Sequence, residues 1–340
     1  MALENIKFLV LWVTGDCNLN CKYCYADGKT NKESMSFEIA KMAIDRCDKG
    51  PVKLQLAGGE PLLNLELIKE IYDYIKLNNI PAILQMQTNA TLIDSKVARD
   101  IRDMNISMGV SFDGTIEINQ YLRGKSPKVL SGIRHLKDEG IMVNLNCVVT
   151  NRNIEYLDQL VDMAYYLGNV GGVGLDLLRL TGRALENKLE IREATEKEIK
   201  YALKRAYLRT REIERISGRR IVLREIEEAK RRIEQPLRCG EYCHASYGGS
   251  AVVLPNGDIY PCGSLIGNEE YYMGNILNED SIKDVQIATI APPRCRICKY
   301  KDICQGACPA RAIINNNGEI PDQDCVLRRT SFEIAEDYME

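Results

Sequence analysis

The sequence has little of several features that would point to particular functions. Its 340 residues include two histidines and one tryptophan, and the formal net charge is −3. A charge so close to neutral gives no reason to expect nucleic acid or an acidic membrane surface as a partner. No apolar run approaches the length of a membrane span, and the apolar segment at residues 6–13 is too short for a signal peptide. We therefore expect a cytoplasmic protein that does not contact a membrane.

Cysteine, in contrast, is abundant. The chain has thirteen cysteines. Three form a C-x3-C-x2-C run near the N-terminus and eight more stand at ligand spacings near the C-terminus: Cys17, Cys21 and Cys24, then Cys239, Cys243, Cys262, Cys295, Cys298, Cys304, Cys308 and Cys325. An odd number of cysteines without a secretory signal favours metal ligation in a reducing cytosol over a disulfide framework. Such short intervals are typical of iron–sulfur clusters, so we predict one cluster with an open iron, two saturated clusters and an anaerobic host.

The first half of the chain alternates short apolar segments with amphipathic ones. We predict strands at 6–14, 52–57, 82–88, 106–112, 141–149 and 173–180, and helices at 36–48, 65–78, 95–104, 127–139 and 154–167. Strands that alternate with helices indicate βαβ units and a parallel sheet. Six units are too few for a closed eight-stranded barrel, so the predicted fold class is α/β, with a partial (βα)6 TIM-like barrel followed by a loop-rich C-terminal iron–sulfur domain. We expect the site at the carboxyl ends of the strands, where the first cysteine run lies.

Changes in composition predict four regions. Residues 1–183 form the barrel, and 184–235 form a charged connector with helices at 195–216 and 220–234. A solvated connector is the favoured interpretation, and a substrate-contacting helix is the alternative. Residues 236–327 are rich in Gly, Pro and Cys, with one hairpin at 251–254 and 259–261, and they need bound metal for stability. Residues 328–340 are predicted to form a C-terminal helix.

The first cysteine run reads CNLNCKYC at residues 17–24 and resembles the signature of the radical SAM superfamily. The resemblance implies that Cys17, Cys21 and Cys24 hold a [4Fe–4S] cluster whose fourth iron binds S-adenosylmethionine. Reductive cleavage then gives a 5′-deoxyadenosyl radical. A zinc knuckle is the alternative, but structural zinc sites use four ligands and this run has three.

The predicted second strand ends in a turn that matches another motif of the family: Gly58, Gly59, Glu60 and Pro61. The resemblance implies that this turn contacts the amino group of S-adenosylmethionine. Glycine permits close approach of the backbone, and a carboxylate accepts hydrogen bonds from an ammonium group. By the same resemblance, Asn89 and Ser111 lie at strand ends that contact ribose or substrate, and Ala90 stands where relatives often have glycine.

The C-terminal cysteines resemble the SPASM extension of radical SAM enzymes. All seven positions of its pattern are filled, and Cys239 adds an eighth ligand. The resemblance implies two auxiliary clusters, the first held by Cys239, Cys243, Cys262 and Cys308 and the second by Cys295, Cys298, Cys304 and Cys325. One or two zinc ribbons are the alternative.

These resemblances imply a radical SAM/SPASM oxidoreductase that matures a peptide or protein by abstracting hydrogen. An anaerobic sulfatase maturase, which makes formylglycine, is less favoured because those enzymes carry an aspartate where Gly263 stands, although Asp258 or another carboxylate is a possible substitute. A maturase of tungsten-dependent oxidoreductases and a non-enzymatic iron–sulfur electron carrier are further alternatives. A pure carrier, however, needs no amino-acid-binding turn.

The expected partners follow from the same interpretation. A low-potential electron donor such as ferredoxin or flavodoxin is needed for reductive cleavage. Cys17 lies too early to leave room for an N-terminal leader-binding domain, so any leader peptide is bound by a separate protein or by the barrel mouth. His135 and His244 are poor candidates for catalysis, and the sequence assigns no catalytic acid or base.

Overall fold

A single sheet runs through the protein. The computed structural model describes residues 3, 5–26, 31–47, 50–236, 242–304 and 306–338. Within that part of the chain the strands are β1 (Phe8–Thr14), β2 (Val52–Gly58), β3 (Ala82–Thr88), β4 (Ser107–Ser111), β5 (Val143–Val149), β6 (Val170–Leu177), β7 (Val222–Leu223), β8 (Ser250–Val253), β9 (Asp258–Tyr260) and β10 (Gly274–Asn275). Their order is β10-β9-β8-β1-β2-β3-β4-β5-β6-β7. Strands β1 to β7 pair in parallel, which confirms the predicted partial barrel.

Helices alternate with the barrel strands, and further helices lie in the C-terminal region. Those described are α1 (Phe37–Asp45), α2 (Leu65–Leu77), α3 (Ser95–Asp103), α4 (Ile116–Leu122), α5 (Ser126–Asp138), α6 (Leu157–Leu167), α7 (Arg183–Glu186), α8 (Glu196–Ser217), α9 (Arg224–Glu234), α10 (Lys301–Cys304), α11 (Pro309–Asn316) and α12 (Asp322–Asp337). Helix α8 begins with a capping box between Thr195 and Glu198 and ends at Gly218 in a left-handed conformation. No helix in the described ranges is long and apolar enough to cross a membrane.

The two faces of the barrel strands differ in character because successive side chains point to opposite sides of a sheet. On β3, Leu84 and Met86 are buried in the main hydrophobic core under the helices. Gln85 and Gln87 alternate with them and line a cavity inside the barrel. The outer face therefore stabilises the fold, and the polar inner face is left for a ligand.

The C-terminal region continues the same sheet. Strand β8 pairs in parallel with β1, and β8 and β9 form the predicted hairpin, with Val252 opposite Tyr260. This pairing fixes the cysteines that flank the hairpin beside the open edge of the barrel.

Several predicted boundaries differ from the structure. Strand β6 starts at Val170 and ends at Leu177, earlier than predicted, so Arg179 lies just past its carboxyl end. The predicted helix at 220–234 begins at Arg224, because the two residues before it form β7 by pairing with β6. Helix α12 begins at Asp322, six residues before the predicted start. Pro321 precedes it, and acidic residues in its first turn suit the positive end of the helix dipole.

Candidate active site

The first cysteine loop lies at the carboxyl end of β1, as predicted, and hydrogen bonds from several elements hold it. Asp16 Oδ1 accepts from the Cys17 backbone N–H at 3.0 Å. Lys125 Nζ, just before α5, donates to the Asn18 carbonyl at 2.7 Å. The Arg183 backbone N–H, at the start of α7, donates to the Cys24 carbonyl at 3.1 Å. The loop is thus positioned by parts of the barrel that are far apart in sequence.

The three cysteines of this loop lie close enough to influence one another electrostatically. Burial raises the pKa of the Cys21 thiol to about 11; Arg123 opposes this shift, and Cys24 and Cys17 add to it. Burial also raises the pKa of the Cys17 thiol. Cysteine binds metal as the thiolate, so iron has to displace these protons. Three neighbouring thiols on one loop fit an iron–sulfur cluster in number and in donor type.

The glycine turn is built to touch the cysteine loop. A Cβ atom added to Gly58 would stand 2.3 Å from the Thr14 carbonyl oxygen, and one on Gly59 would stand 2.1 Å from the Asp16 carbonyl oxygen. Gly58 also has a φ of +138°. The Gly59 and Glu60 backbone N–H groups donate to those same two carbonyls, each at 2.9 Å. Both glycines are required because no side chain fits between the turn and the loop.

The Glu60 carboxylate is buried inside this turn. Its Oε1 accepts from Thr88 Oγ1 at 2.6 Å and from the Leu62 backbone N–H at 3.2 Å. Its Oε2 accepts from the Asn89 backbone N–H at 2.7 Å. Burial raises the pKa of Glu60 to about 7 despite these three donors. A buried carboxylate with this pKa is poised to gain a cationic partner.

Asn89 and Ser111 lie at neighbouring strand ends, as predicted, but their contacts differ. Asn89 Nδ2 donates to Asn18 Oδ1 in the cysteine loop at 2.9 Å. Ser111 Oγ accepts from Gln87 Nε2 at 2.9 Å in the barrel interior. Ala90 has a φ of 59°, in the left-handed region that favours glycine.

Asp113 supports the cysteine loop, although its sequence context does not mark it as a site residue. It is fully buried and forms an ion pair with Arg123, with Nε to Oδ2 at 2.8 Å and Nη2 to Oδ1 at 3.1 Å. Tyr23, inside the cysteine loop, donates its hydroxyl to the same carboxylate. Asp113 therefore anchors the loop from the end of β4. The only signal for it was its place two residues after Ser111.

The structure brings together the described cysteines assigned to auxiliary cluster I. Cys243, Cys262 and Cys308 border one apolar cluster with Leu265 and Ile287. Burial raises the pKa of the Cys308 thiol, and the nearby Cys262 raises it further. The fourth predicted ligand, Cys239, lies outside the described residues.

The cysteines assigned to auxiliary cluster II surround a separate cavity. Its volume is about 1000 Å³, and four cysteines line it: Cys295, Cys298, Cys304 and Cys325. Within the described ranges no three Cys, His, Asp or Glu side chains are arranged to hold a single metal ion. A cavity lined by four thiols fits a multi-iron cluster in donor number and donor type.

The barrel interior contains a second cavity of about 550 Å³. Amide side chains dominate its polar lining: Gln55, Gln85, Gln87, Asn144 and Asn146. Arg224 also lines it, and Gly174 leaves room for its guanidinium, because an added Cβ would stand 2.6 Å from Arg224 Nη1. Asp176 lies near the carboxyl end of β6. Burial alone would raise the pKa of its carboxyl group, but Arg224 and Arg179 outweigh burial and hold that pKa below its usual range.

Comparison with known proteins agrees with this site. The family model of the radical SAM superfamily matches residues 13–164. An uncharacterised protein of Methanocaldococcus jannaschii is 34% identical over 83% of this chain and 92% of its own length. An AdoMet-dependent heme synthase of Methanosarcina barkeri is 26% identical over 96% of this chain and 99% of its own length. The solved structure of native anSMEcpe with bound AdoMet and Kp18Cys peptide shares the fold with a TM-score of 0.78 and 21% identity, over 97% of this chain and 96% of that one.

Proposed function

The chain belongs to the radical SAM superfamily, and on that premise we propose that it is a maturase that abstracts hydrogen from a peptide or protein substrate. The proposed cofactors are S-adenosylmethionine and three [4Fe–4S] clusters, one at the first cysteine loop and two auxiliary. When bound, the first cluster and S-adenosylmethionine supply a 5′-deoxyadenosyl radical through a one-electron reductive cleavage. A low-potential donor such as ferredoxin or flavodoxin is the proposed source of that electron.

The residues of the chain position S-adenosylmethionine. The backbone of Gly58 and Gly59 holds Glu60 against the cysteine loop, and Glu60 Oε2 keeps one acceptor position free for the ammonium group. Asn89 links β3 to the loop, and Ser111 is presented at the next strand end. The proposed position of the bound molecule is at the carboxyl ends of the strands, and Gln87, which donates to Ser111 there, also belongs to the lining of the barrel cavity.

The amide-lined cavity is the observation that carries the choice of a peptide substrate. Its volume of about 550 Å³ lies within the usual range for ligand sites. Glutamine and asparagine side chains each offer a donor and an acceptor, which match the N–H and C=O groups of a peptide backbone. The anSMEcpe structure, which shares this fold, holds a peptide.

The sulfatase-maturase alternative is less well supported at Gly263. An added Cβ there would stand 3.0 Å from the Trp12 ring and 3.7 Å from the Tyr25 hydroxyl, so these rings occupy the space that an aspartate would need. Asp258 is already engaged, since its Oδ1 accepts from Tyr272 Oη and Asn275 Nδ2, each at 2.9 Å. Neither residue presents a free base toward the barrel.

A second candidate function is the modification of a carboxylate-rich tetrapyrrole. The heme synthase relative matches nearly the whole chain. Arg224 and Arg231 place guanidinium groups in the lining of the cavity, where they are suited to carboxylates. The test of the proposed function therefore includes both substrate classes.

The test starts with anaerobically reconstituted protein, dithionite and S-adenosylmethionine. The wild type is expected to form 5′-deoxyadenosine, and the triple variant Cys17→Ala/Cys21→Ala/Cys24→Ala is expected to form none while keeping about eight irons. Cys47→Ala, outside every ligand set, is the matched control and keeps the activity. Cleavage retained in the triple variant would refute the assignment and favour a site elsewhere.

The substrate class is tested by deuterium transfer. In one assay the protein receives a fraction of perdeuterated peptides from the host cell, and in a second assay it receives a perdeuterated iron porphyrin. The 5′-deoxyadenosine formed in each assay is analysed by mass spectrometry. Deuterium in 5′-deoxyadenosine with the peptide fraction alone supports the peptide maturase. Transfer with the porphyrin alone would overturn that proposal in favour of the tetrapyrrole function.

A further inference from the structure

One arginine stands between two groups of cysteines. Arg179 follows β6, and its Nη2 lies 3.7 Å from Cys308 Sγ, within hydrogen-bond distance for sulfur. Its guanidinium also lies 5.7 Å from the centre of the Tyr25 ring, and Tyr25 directly follows Cys24 of the first loop. The side chain thus reaches from the radical-forming site to the sulfur of a proposed ligand of auxiliary cluster I.

The charge of Arg179 is directed mainly at sulfur. Cys308, Asp176, Cys262 and Tyr25 all lie close enough to the Arg179 guanidinium to act on it electrostatically. Asp176 has its ion pair with Arg224, at 3.4 Å. Arg179 Nε is buried without a hydrogen-bond partner among the described residues. The sulfur that accepts from its guanidinium therefore belongs to the proposed cluster ligand, which becomes negatively charged when it binds iron as a thiolate.

The position of Arg179 is fixed from both sides. Asn315, on α11, donates from Nδ2 to the Leu178 carbonyl at 3.1 Å and accepts from the Leu180 backbone N–H at 3.0 Å. Arg311, on the same helix, also donates to the Leu178 carbonyl. Helix α11 begins directly after Cys308. The two residues that flank Arg179 are therefore tied to the helix that carries Cys308.

A buried positive charge at a ligand sulfur has a direct effect on a cluster. Reduction adds one electron and therefore one negative charge, and no bond forms or breaks. A cation or hydrogen bond at the sulfur stabilises the reduced form and raises the reduction potential. Burial strengthens the effect because the surroundings screen charge less than water does.

We propose that Arg179 is a positioning residue that raises the reduction potential of auxiliary cluster I through its charge at Cys308. This inference rests on the proposed function, because it requires the cluster assigned to Cys243, Cys262 and Cys308. The electron comes from the low-potential donor proposed above. With its potential raised, auxiliary cluster I is the better acceptor for an electron left on a substrate radical.

The test measures midpoint potentials by electron paramagnetic resonance during an anaerobic redox titration. Arg179→Gln is made in the background that lacks the first cluster, Cys17→Ala/Cys21→Ala/Cys24→Ala, so that two auxiliary signals remain. We expect one midpoint to become more negative by about 59 mV, a tenfold change in the equilibrium constant for one electron. The matched control is Arg224→Gln, which removes the same charge from the barrel interior, where the side chain does not contact sulfur. This control should shift the midpoint potential by less than a third of the shift expected for Arg179→Gln. Equal shifts in the two variants, or no shift with iron retained, would overturn the inference.

Two further variants keep the test decisive. Arg179→Lys retains the charge and is expected to shift the midpoint potential by less than half as much as Arg179→Gln does. A shift as large as that of Arg179→Gln would contradict a role for the charge. If Cys243→Ala/Cys262→Ala leaves the iron content of this background unchanged, the cofactor assignment itself is wrong, and the inference falls with it.

Discussion

The carboxylate of Glu60 gives the sharpest prediction about the binding of S-adenosylmethionine. A carboxylate has about four acceptor positions, and three are filled by Thr88, Leu62 and Asn89. The fourth, on Oε2, is left for the ammonium group. Glu60→Gln removes the charge of that contact, and we expect weaker binding by about 1.5–3 kcal/mol, the scale of a charged hydrogen bond.

The pH dependence follows from the raised pKa of Glu60. The pKa is about 7 in the free protein, and only the ionised carboxylate pairs with the ammonium. Affinity should therefore decline as the pH falls through 7, by about tenfold between pH 8 and pH 6, which corresponds to about 1.4 kcal/mol. Glu60→Gln should remove this dependence as well as lower the affinity.

The substitution also disturbs folding, and this effect has to be measured separately. Whichever way the new amide turns, its NH2 group faces a backbone donor, either Leu62 or Asn89, at a cost of about 1–3 kcal/mol in the free energy of unfolding. Anaerobic equilibrium dialysis gives the affinity, and denaturant unfolding gives the stability. Glu66→Gln, with a side chain 84% exposed on α2, is the control and should change neither. An unchanged affinity with a flat pH profile in the wild type would refute the role of Glu60.

Two further predictions concern the C-terminal region. Cys239→Ala should open a labile iron in auxiliary cluster I, seen as a shifted electron paramagnetic resonance signal when an exogenous thiol is added; the same shift in wild type would show that Cys239 is not a ligand. Arg311→Met should lower the free energy of unfolding by about 3–5 kcal/mol, because it leaves the buried Asp324 carboxylate without its ion-pair partner at 2.5 Å. The exposed Arg296→Met should cost less than about 0.5 kcal/mol, and an equal loss in both variants would contradict this interpretation.

Much of the site was predictable because its chemistry depends on local spacing. The intervals between Cys17, Cys21 and Cys24 and the glycines of the next turn are short-range patterns, and they identify the cofactor class before any fold is known. The barrel strands were equally visible, since apolar outer faces under helices leave a strong alternating pattern. The predicted strand at 82–88 matches β3.

Other features depended on contacts between distant segments. Strand β7 has two residues, and they are in a strand because their backbone pairs with the edge of β6. Asp113 looks like an ordinary loop aspartate until the fold brings Tyr23 and Arg123 to it. Helix α12 includes Cys325, although ligand cysteines were expected in loops.

The sequence by itself determined the class of chemistry and predicts the donor atoms and their number, because thiol spacing and glycine turns act over a few residues. Only the tertiary structure decided which charges face those donors. Arg179 lies 129 residues before Cys308, and the two meet because helix α11 is tied to the end of β6. No local sequence pattern predicts such a contact, because it arises when two regions that are distant in sequence pack against each other.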